Sequence, residues 1–387
     1  MKDIKWIDNM NYKISYGEQG NDNILDAYGY SVYYLWQSLY NLEYANANGV
    51  GGLLRTLENK DISWEKNGNF NTGIDASLFN RRLKFNIEYY YKTTRDMLLE
   101  VPMASSLGFD SYLANRGNMR NTGFEMEISG APIQTNDFTW RINWMGSTIH
   151  NKVTKLTAET PKIIHSNFIT REGAEINTFY MPKSAGVDPT TGKQLYWAYE
   201  KDDNGNITKE YVTDDGSVAN NSRYELGSRI PDLYGSIGTS LSYKGFDLSV
   251  LTTYSIGGKI YDGLYASSMG LSYLSSTWNR NILRRWQKPG DITDVPAVTI
   301  GNMDYATDRY LIDASYFAIK NITLSYNLPV SILAKARLNH VRVFCSFDNV
   351  ALFSHLDGMD PQYNFSGGTN YSYSPNKTIQ FGLEVNF

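Results

Sequence analysis

The chain has 387 residues, 14% of them aromatic, and a formal net charge of −4. A chain of this length can form two or three soluble domains or one large sheet, and its slight acidity excludes the positive field that nucleic-acid binding requires. Its single cysteine, Cys345, excludes an intrachain disulfide and a thiolate metal cluster.

The amino-terminal residues Met1 to Trp6 contain no apolar stretch and no small-residue cleavage site. We therefore predict no signal peptide at the start of the chain. No run approaches the roughly 18 apolar residues of a membrane helix. If the strands described next cross an outer membrane, the chain must be exported, so we expect it to be the carboxy-terminal piece of a longer protein.

Alternation of apolar and polar residues, the period of a β-strand with one apolar face, recurs along the chain. It predicts about ten strands, each roughly 10–13 residues long, which is the length that crosses a bilayer when tilted. The predicted strands are centred on 10–16, 70–78, 83–91, 124–129, 138–144, 233–243, 246–256, 318–328, 341–347 and 377–387.

The connections between these strands alternate between short and long. The short ones are Asn80-Arg81, Ala131 to Asn136, Lys244-Gly245 and Pro329 to Leu338. The long ones are 18–67, 94–118, 151–231, 258–311 and 350–375. Short periplasmic turns and long extracellular loops are typical of outer-membrane barrels, so we predict an all-β, antiparallel transmembrane β-barrel segment with these five long loops outside the cell.

The last strand alternates to its end and finishes on an aromatic residue. Phe381, Leu383, Val385 and Phe387, preceded by Ile379, share the apolar face that we expect to contact lipid and to act as the barrel assembly signal. The polar faces of this and other strands should line a hydrated lumen; they include Asn71, Asp75, Glu125, Glu127, Arg141, Asn143 and Glu384.

Two of the long loops carry patterns of their own. In 151–231, Gln194 to Tyr199 and Ile207 to Val212 predict a hairpin that turns at Asn204-Gly205. In 258–311, Trp278, Ile282 and Trp286 are spaced four apart before Pro289-Gly290, which predicts a helix.

Several segments together resemble the SusC/RagA family of TonB-dependent outer-membrane transporters. They are Trp64 to Asn67 with Phe70 to Asp75, Leu107 to Phe109, Asn118 to Glu125, Asp188 to Lys193, Asp308 to Tyr310, Tyr316 to Tyr326, and Phe347 to Asn349. The resemblance spans nearly the whole chain and implies the last ten strands of a barrel of about 22 strands that encloses a globular plug. It also implies that the signal peptide, the TonB box and the plug are absent from 1–387.

The same resemblance implies a function and partners. The family imports oligosaccharides or peptides, receives them from a SusD-like surface lipoprotein, and draws energy from TonB through the missing amino-terminal part. An outer-membrane location, in contact with lipid, follows. A soluble β-rich carbohydrate-binding module is the alternative, but it offers no reason for every long connection to lie at one end.

No residue pattern predicts catalysis, a cofactor or a metal site. Glu125 and Glu127 lie two apart on one strand, which places them on one polar face rather than around a glycosidic bond. We therefore predict a transporter component and not an enzyme, with glycan hydrolysis as a third alternative. The candidate cargo-binding residues are aromatic residues of the long loops: Trp197, Tyr199, Tyr265, Tyr363, Tyr371 and Tyr373.

Overall fold

The computed structural model describes residues 4–24, 33–46, 49–109, 111–158, 160–270, 277–298, 306–356, 359–363, 368 and 373–387. Antiparallel strands dominate these ranges, and the helices are short. No helix within them has the length and apolar character needed to cross a membrane.

The strands of the first half are β1 (Ile7–Asn21), β2 (Leu39–Asn46), β3 (Gly49–Thr56), β4 (Glu65–Leu78), β5 (Leu83–Arg95), β6 (Leu98–Pro102), β7 (Ser111–Asn115), β8 (Gly117–Gln134), β9 (Phe138–Thr148), β10 (His150–Leu156), β11 (Lys162–His165), β12 (Phe168–Arg171), β13 (Thr178–Met181) and β14 (Lys183–Val187). Those of the second half are β15 (Gln194–Lys201), β16 (Ile207–Thr213), β17 (Tyr224–Glu225), β18 (Leu233–Tyr243), β19 (Phe246–Ile256), β20 (Lys259–Tyr261), β21 (Leu311–Asp313), β22 (Tyr316–Asn327), β23 (His340–Ser354) and β24 (Thr378–Asn386). The helices are α1 (Gly216–Asn221), α2 (Gly263–Met269) and α3 (Val330–Ala336), with 3₁₀ turns at Ser105–Leu107, Arg280–Arg284, Asp308–Tyr310 and Pro361–Tyr363.

Ten of these strands form one antiparallel sheet, here called the wall sheet, in the order β1-β4-β5-β8-β9-β18-β19-β22-β23-β24. They correspond to the ten strands predicted from alternation. A further strand, β10, pairs with the first half of β8 just after β9 has ended at Thr148. Every neighbour in the order is also the next wall strand along the chain, as in an up-and-down barrel.

Several wall strands are longer than the alternation predicted. β1 continues to Asn21 and β4 starts at Glu65, while β8 spans 18 residues. These extensions are rich in Asn, Gly, Lys and Thr, so they show no hydrophobic period, yet their peptide groups continue the ladder. The long connections are correspondingly shorter than predicted.

The wall sheet has two chemically different faces. Cross-strand pairing joins Phe85, Ile128, Trp144 and Ile237 in one row, and the adjacent row joins Asn86, Glu127, Met145 and Ser236 on the opposite side. We call the first side the outer face and the second the inner face. Large apolar side chains are exposed on the outer face, including Tyr12 at 68% and Phe381 at 81%. Such exposure suits contact with lipid rather than water.

Aromatic pairs occur on the outer face near both ends of the strands. Near the short turns, Phe246 and Tyr326 lie 4.4 Å apart between ring centroids, and Phe138 and Tyr243 lie 6.4 Å apart. Toward the long loops, the Phe317 and Phe353 centroids are separated by 6.4 Å. Two aromatic bands that flank an apolar zone are the arrangement expected where a barrel meets both headgroup regions.

The short turns lie at the predicted positions, but not all of them have the predicted length. The second spans 135–137 rather than 131–136, because β8 continues to Gln134. Lys244 and Gly245 have φ angles of 47° and 91°, the left-handed pair that a two-residue type I′ turn requires. The first turn spans four residues, 79–82, rather than two, because Leu78 and Leu83 are the last paired residues. Asp8 accepts a hydrogen bond from the Arg81 amide at 2.8 Å and holds this wider turn.

The hairpin predicted in the 151–231 loop is present as β15 and β16, with β14 as a third strand. The helix predicted from Trp278 to Trp286 is wrong: only the 3₁₀ turn Arg280–Arg284 forms. The Asn279 side chain caps its start, and Arg285 is extended, with ψ of 151°. Trp286 then turns away to donate from Nε1 to the Pro189 carbonyl oxygen at 2.9 Å.

The two faces of β24 give a direct test. Phe381→Arg, on the outer face, should lower the unfolding free energy of the full-length protein in lipid vesicles by about 2–4 kcal/mol if the side chain lies near the bilayer midplane. Gln380→Arg is the matched control, because Gln380 lies on the inner face beside Asp348, and should change stability by less than about 1 kcal/mol. Urea unfolding measures both values, and equal effects would contradict the assignment of faces.

Candidate functional site: an inner-wall groove and a loop platform

The inner face carries layered charges along the strand direction. Toward the long loops, Glu88, Glu125, Ser147, Tyr234, Ser255 and Tyr316 form one cross-strand row. The adjacent row contains Asn86 and Glu127, and another row closer to the short turns contains Arg141. An aromatic and acidic zone therefore lies nearer the long loops, and a basic zone lies nearer the short turns.

A cavity of about 630 Å³ opens at the long-loop end of this face. Tyr234 and Tyr316 form its strand side, while Arg229, Lys259 and Gln362 approach from the loops. Gln362 accepts a hydrogen bond from Thr253 Oγ1 at 3.4 Å, so the last long loop reaches the wall sheet. Burial lowers the pKa of the Arg229 guanidinium, which nevertheless remains a cation at neutral pH. We call Arg229 and Lys259 the rim cations.

A second cavity, of about 550 Å³, continues toward the short turns and shares Tyr234 and Tyr316 with the first. Glu125 and Glu127 line it. Pairing places Glu88 directly beside Glu125, and like charges opposite each other destabilise a sheet. In the described part of the chain no ion pair involves any of these three carboxylates. They are available to a cationic group of a ligand.

A third cavity, of about 430 Å³, lies near the short turns. Arg81, Arg82, Lys84 and Arg141 line it together with small polar side chains. We call this cation-rich region the basic floor. From the long loops to the short turns, the inner face therefore runs from cations through tyrosines and carboxylates to cations again.

Tyr90 fixes the position of the acidic row. Its ring crosses Gly123, where a Cβ atom would lie 2.6 Å from the tyrosine hydroxyl, and its hydroxyl donates to the Thr148 carbonyl oxygen at 2.8 Å. Thr148 is the last residue of β9. The glycine thus allows one buried tyrosine on β5 to hold the end of β9 beside Glu125.

The loops 151–231 and 258–311 are packed together into one unit, here called the loop platform. Its centre is the turn from Asp188 to Lys193. Trp286 covers Gly192 in this turn and donates to Pro189, and the Ala297 amide donates to the Gly192 carbonyl oxygen at 2.8 Å. A second link is the Ser184 amide, which donates to Asp308 Oδ1 at 2.7 Å. Neither loop is an independent appendage.

Asp188 organises the turn electrostatically. Its carboxylate accepts hydrogen bonds from the Thr190 amide at 2.8 Å, from the Thr190 hydroxyl, and from the Thr191 hydroxyl at 2.6 Å. These bonds, those of the Thr190 and Thr191 hydroxyls first, lower the pKa of Asp188 to about 2. Lys193 bonds to Asp214 at 2.6 Å and ties the turn to the segment after β16.

The predicted loop aromatics lie on separate elements. Trp197 and Tyr199 are on β15, where Trp197 is 36% exposed and Tyr199 donates to the Arg223 carbonyl oxygen at 2.9 Å. Tyr265, on α2, packs against Tyr310. Tyr373 is fully exposed, the side chain of Tyr363 is not among those described, and Tyr371 lies outside the described residues. Their role in cargo binding stays a prediction.

Sequence reasoning did not select the residues that line the shared part of the cavities. Tyr234 occupies a polar-face position of the predicted strand 233–243, where an aromatic residue out of phase with the alternation was the available signal. Tyr316 lies two residues before the predicted strand 318–328 and starts β22 in the structure. Arg229 and Lys259 flank β18 and β19 without a motif. Among the described residues, no group of three or more His, Cys, Asp or Glu side chains is arranged to hold a metal.

Known proteins resemble the chain in both sequence and structure. The model of the family described as "TonB dependent receptor-like, beta-barrel" matches residues 4–178. TonB-dependent receptor P3 of Formosa agariphila is 29% identical over 401 residues, and TonB-dependent receptor SusC of Bacteroides thetaiotaomicron is 25% identical over 399 residues. Each match covers 100% of this chain but only 39% and 38%, respectively, of the relative.

Among solved structures, that of the RagAB peptide transporter superposes with a TM-score of 0.84 at 28% identity. The RagAB peptide importer in its "closed-closed" state gives a TM-score of 0.85 at 27% identity. Both comparisons cover 100% of this chain and 42% of the solved chain. The chain thus spans about two fifths of the length of the proteins it matches.

The contact between Trp286 and the turn should control the order of the loop platform. Trp286→Ala removes the ring over Gly192 and the bond to Pro189, so hydrogen exchange in residues 186–195 should accelerate about tenfold or more. Ile292→Ala is the control in the same loop, because Ile292 is 97% exposed, and should leave exchange unchanged. Mass spectrometry of the full-length protein measures both; equal exchange in both variants would refute the coupling of the loops.

The depressed pKa of Asp188 predicts a pH dependence. Because its folded value of about 2 lies below the ordinary 3.8, the carboxylate stabilises the turn above about pH 4, and this contribution is lost as the pH falls through about 2. Asp188→Asn should increase the flexibility of residues 186–195 at pH 7, and the difference from the native protein should vanish near pH 2. Spin-label mobility at the turn measures this, and a difference that persisted at pH 2 would count against the carboxylate.

Proposed function

Because this chain belongs to the SusC/RagA family of TonB-dependent outer-membrane transporters, we propose that it forms part of the wall of a nutrient importer and contributes the cargo path described above. It is an outer-membrane protein, with an antiparallel wall sheet whose outer face is apolar. We propose that residues 1–387 supply about ten strands of the family's larger barrel, with the long loops outside the cell. In this proposal Phe381, Leu383, Val385 and Phe387 form the assembly signal.

The observation that carries this proposal is the continuity of the two inner-face cavities at Tyr234 and Tyr316. A cargo that entered between the loops would meet the rim cations first, then two aromatic side chains, then Glu125 and Glu127. A sheet that is apolar outside and polar within has a clear use in a membrane, whereas the alternative of a soluble carbohydrate-binding module leaves the exposed outer face unexplained.

The charges along the groove favour a peptide over a neutral oligosaccharide as cargo. An oligopeptide carries both signs of charge, so its carboxylates could approach the rim cations while its amino groups approach Glu125 and Glu127. RagAB, whose solved structure superposes on this chain, is a peptide transporter, which supports the same choice. A glycan remains the second candidate, because Tyr234 and Tyr316 offer faces on which sugar rings could stack.

The proposed partners follow from the same arrangement. A SusD-like surface lipoprotein would dock on the loop platform through Trp197, and on the last long loop through Tyr373, both of which are exposed. TonB would act through residues outside this chain, on a plug that would face the basic floor. Among the described residues that line this cavity, the acids are Glu125 and Glu127, and both lie on β8; we therefore propose that they bind cargo rather than act as a catalytic pair.

Charge substitutions inside the groove test the cargo class. In the purified full-length transporter with its lipoprotein, the double variant Glu125→Gln and Glu127→Gln should weaken binding of a basic oligopeptide about tenfold, as two charge contacts of roughly 0.5–1 kcal/mol each are lost. Lys259→Gln should instead weaken binding of an acidic oligopeptide. Glu172→Gln, an exposed carboxylate outside the groove, is the matched control.

Calorimetric titration with peptides and with neutral oligosaccharides separates the possible outcomes. Peptide binding that responds to these variants and weakens with salt would support the proposal. Tight binding of a neutral oligosaccharide that ignores both groove variants would replace a peptide with a glycan as the cargo. Binding of neither class would refute the groove as a cargo site.

A further inference from the structure

Helix α3 interrupts the connection between β22 and β23 at the short-turn end of the wall sheet. It starts after Pro329 and ends at Ala336, and the next residue, Arg337, caps it with a left-handed φ of 57°. Its exposed side chains are unusual for a water-facing connection: Val330 is 78% exposed and Ile332 is 56% exposed. Leu333, the residue after Ile332, is by contrast only 3% exposed.

The buried side of α3 is directed at the outer face of the wall sheet. The helix packs against β23, and the apolar residue buried at that end of β23 is Val341, at 7% exposure. Val341 pairs with Val385, and Val343, which is two residues further on, pairs with Leu383; all four belong to the outer face. Val343 is 47% exposed although it shares this face. Because Val341 is buried and Val343 is not, a part of the protein must cover the outer face at Val341 only. The helix that packs against this end of β23 is α3, so α3 lies on the outer side of the wall sheet.

Helical geometry then defines two sides of α3. Successive residues rotate by about 100°, so Val330 and Ile332 lie on either side of Leu333, while Ser331 points away from it. The exposed apolar side chains therefore flank the surface that faces the wall sheet. The polar side faces away from it.

The surroundings of α3 are those of a membrane boundary. Tyr326, the last outer-face residue of β22, contacts the Phe246 ring at 4.4 Å. On the neighbouring turn, Lys244 Nζ lies 5.4 Å from the Tyr243 ring centroid. Arg337 at the end of α3 is exposed. Aromatic rings with adjacent cations are the side-chain types that sit at headgroup level.

We propose that α3 lies in the interface between headgroups and acyl chains of the phospholipid leaflet at the short-turn end, as an amphipathic anchor of this edge of the barrel. Val330 and Ile332 enter the acyl boundary beside the outer face, and Ser331 faces water. The occupant of this surface is phospholipid, because α3 packs against β23 and its exposed apolar side chains lie at the end of the apolar outer face of the wall sheet. An interfacial helix buries its apolar side at this depth while its backbone remains internally bonded.

Collision measurements with spin labels test this placement in the full-length transporter. Single cysteines replace Ile332, Val330 and Ser331 in a background without other cysteines, in which Cys345 is serine, and the protein is reconstituted in phosphatidylethanolamine–phosphatidylglycerol nanodiscs. Phe381→Cys serves as the lipid reference, and Gly205→Cys, at a loop tip, serves as the water reference. Resistance of the folded barrel to unheated detergent confirms that each variant is assembled.

The proposal expects labels at Ile332 and Val330 to collide with oxygen about twofold or more in excess of a water-soluble nickel chelate, relative to the Gly205 label. Their depth should fall between those of the two references, and the Ser331 label should match Gly205. Labels at Ile332 and Val330 that match Gly205 would show that α3 is surrounded by water. Labels shielded from both reagents would show that another protein segment covers α3. Either result would overturn the proposal.

Discussion

Hydrocarbon offers no hydrogen-bond partner to a peptide group, so a strand that crosses a membrane must pair with neighbours along its length. The wall sheet satisfies this constraint through antiparallel pairing between strands that are adjacent in the chain's order of wall strands. Pairing in register also aligns the side-chain alternation of each strand with that of the next. One rule of backbone chemistry therefore generates an outer face for lipid and an inner face for water and cargo.

The inner face takes its pattern of charges and aromatic rings from residues that pairing brings together over long sequence distances. Glu88, Glu125 and Tyr234 share a row although more than a hundred residues separate the first from the last. Sheet energetics oppose the adjacent carboxylates Glu88 and Glu125, and in the proposed function this charge faces the cargo. The loops complete the groove: Gln362 bonds Thr253 at 3.4 Å, and Trp286 joins the two largest loops to each other.

The number of wall strands and the facing of their side chains could be predicted because alternation is local and the short turns have residue signatures of their own. The turn at Lys244-Gly245, for example, was predictable from the identity of its two residues. The groove was not, because Tyr234 and Tyr316 acquire common surroundings only through the register of β9, β18, β19 and β22. The helix predicted from Trp278 to Trp286 was wrong for a similar reason. The spacing is local, whereas Trp286 forms its hydrogen bond with Pro189, which is far away in the sequence.

The central claim is that one wall separates lipid from a hydrated lumen, residue by residue. A cysteine scan of β18, from Leu233 to Tyr243, in the outer membranes of intact cells tests it most directly. A membrane-impermeant thiol reagent should label Tyr234, Ser236, Gly238, Ser240 and Ser242 and spare the alternate positions, which should instead react with a lipid-soluble maleimide. Labelling without a two-residue period, or uniform labelling by the impermeant reagent, would contradict the account.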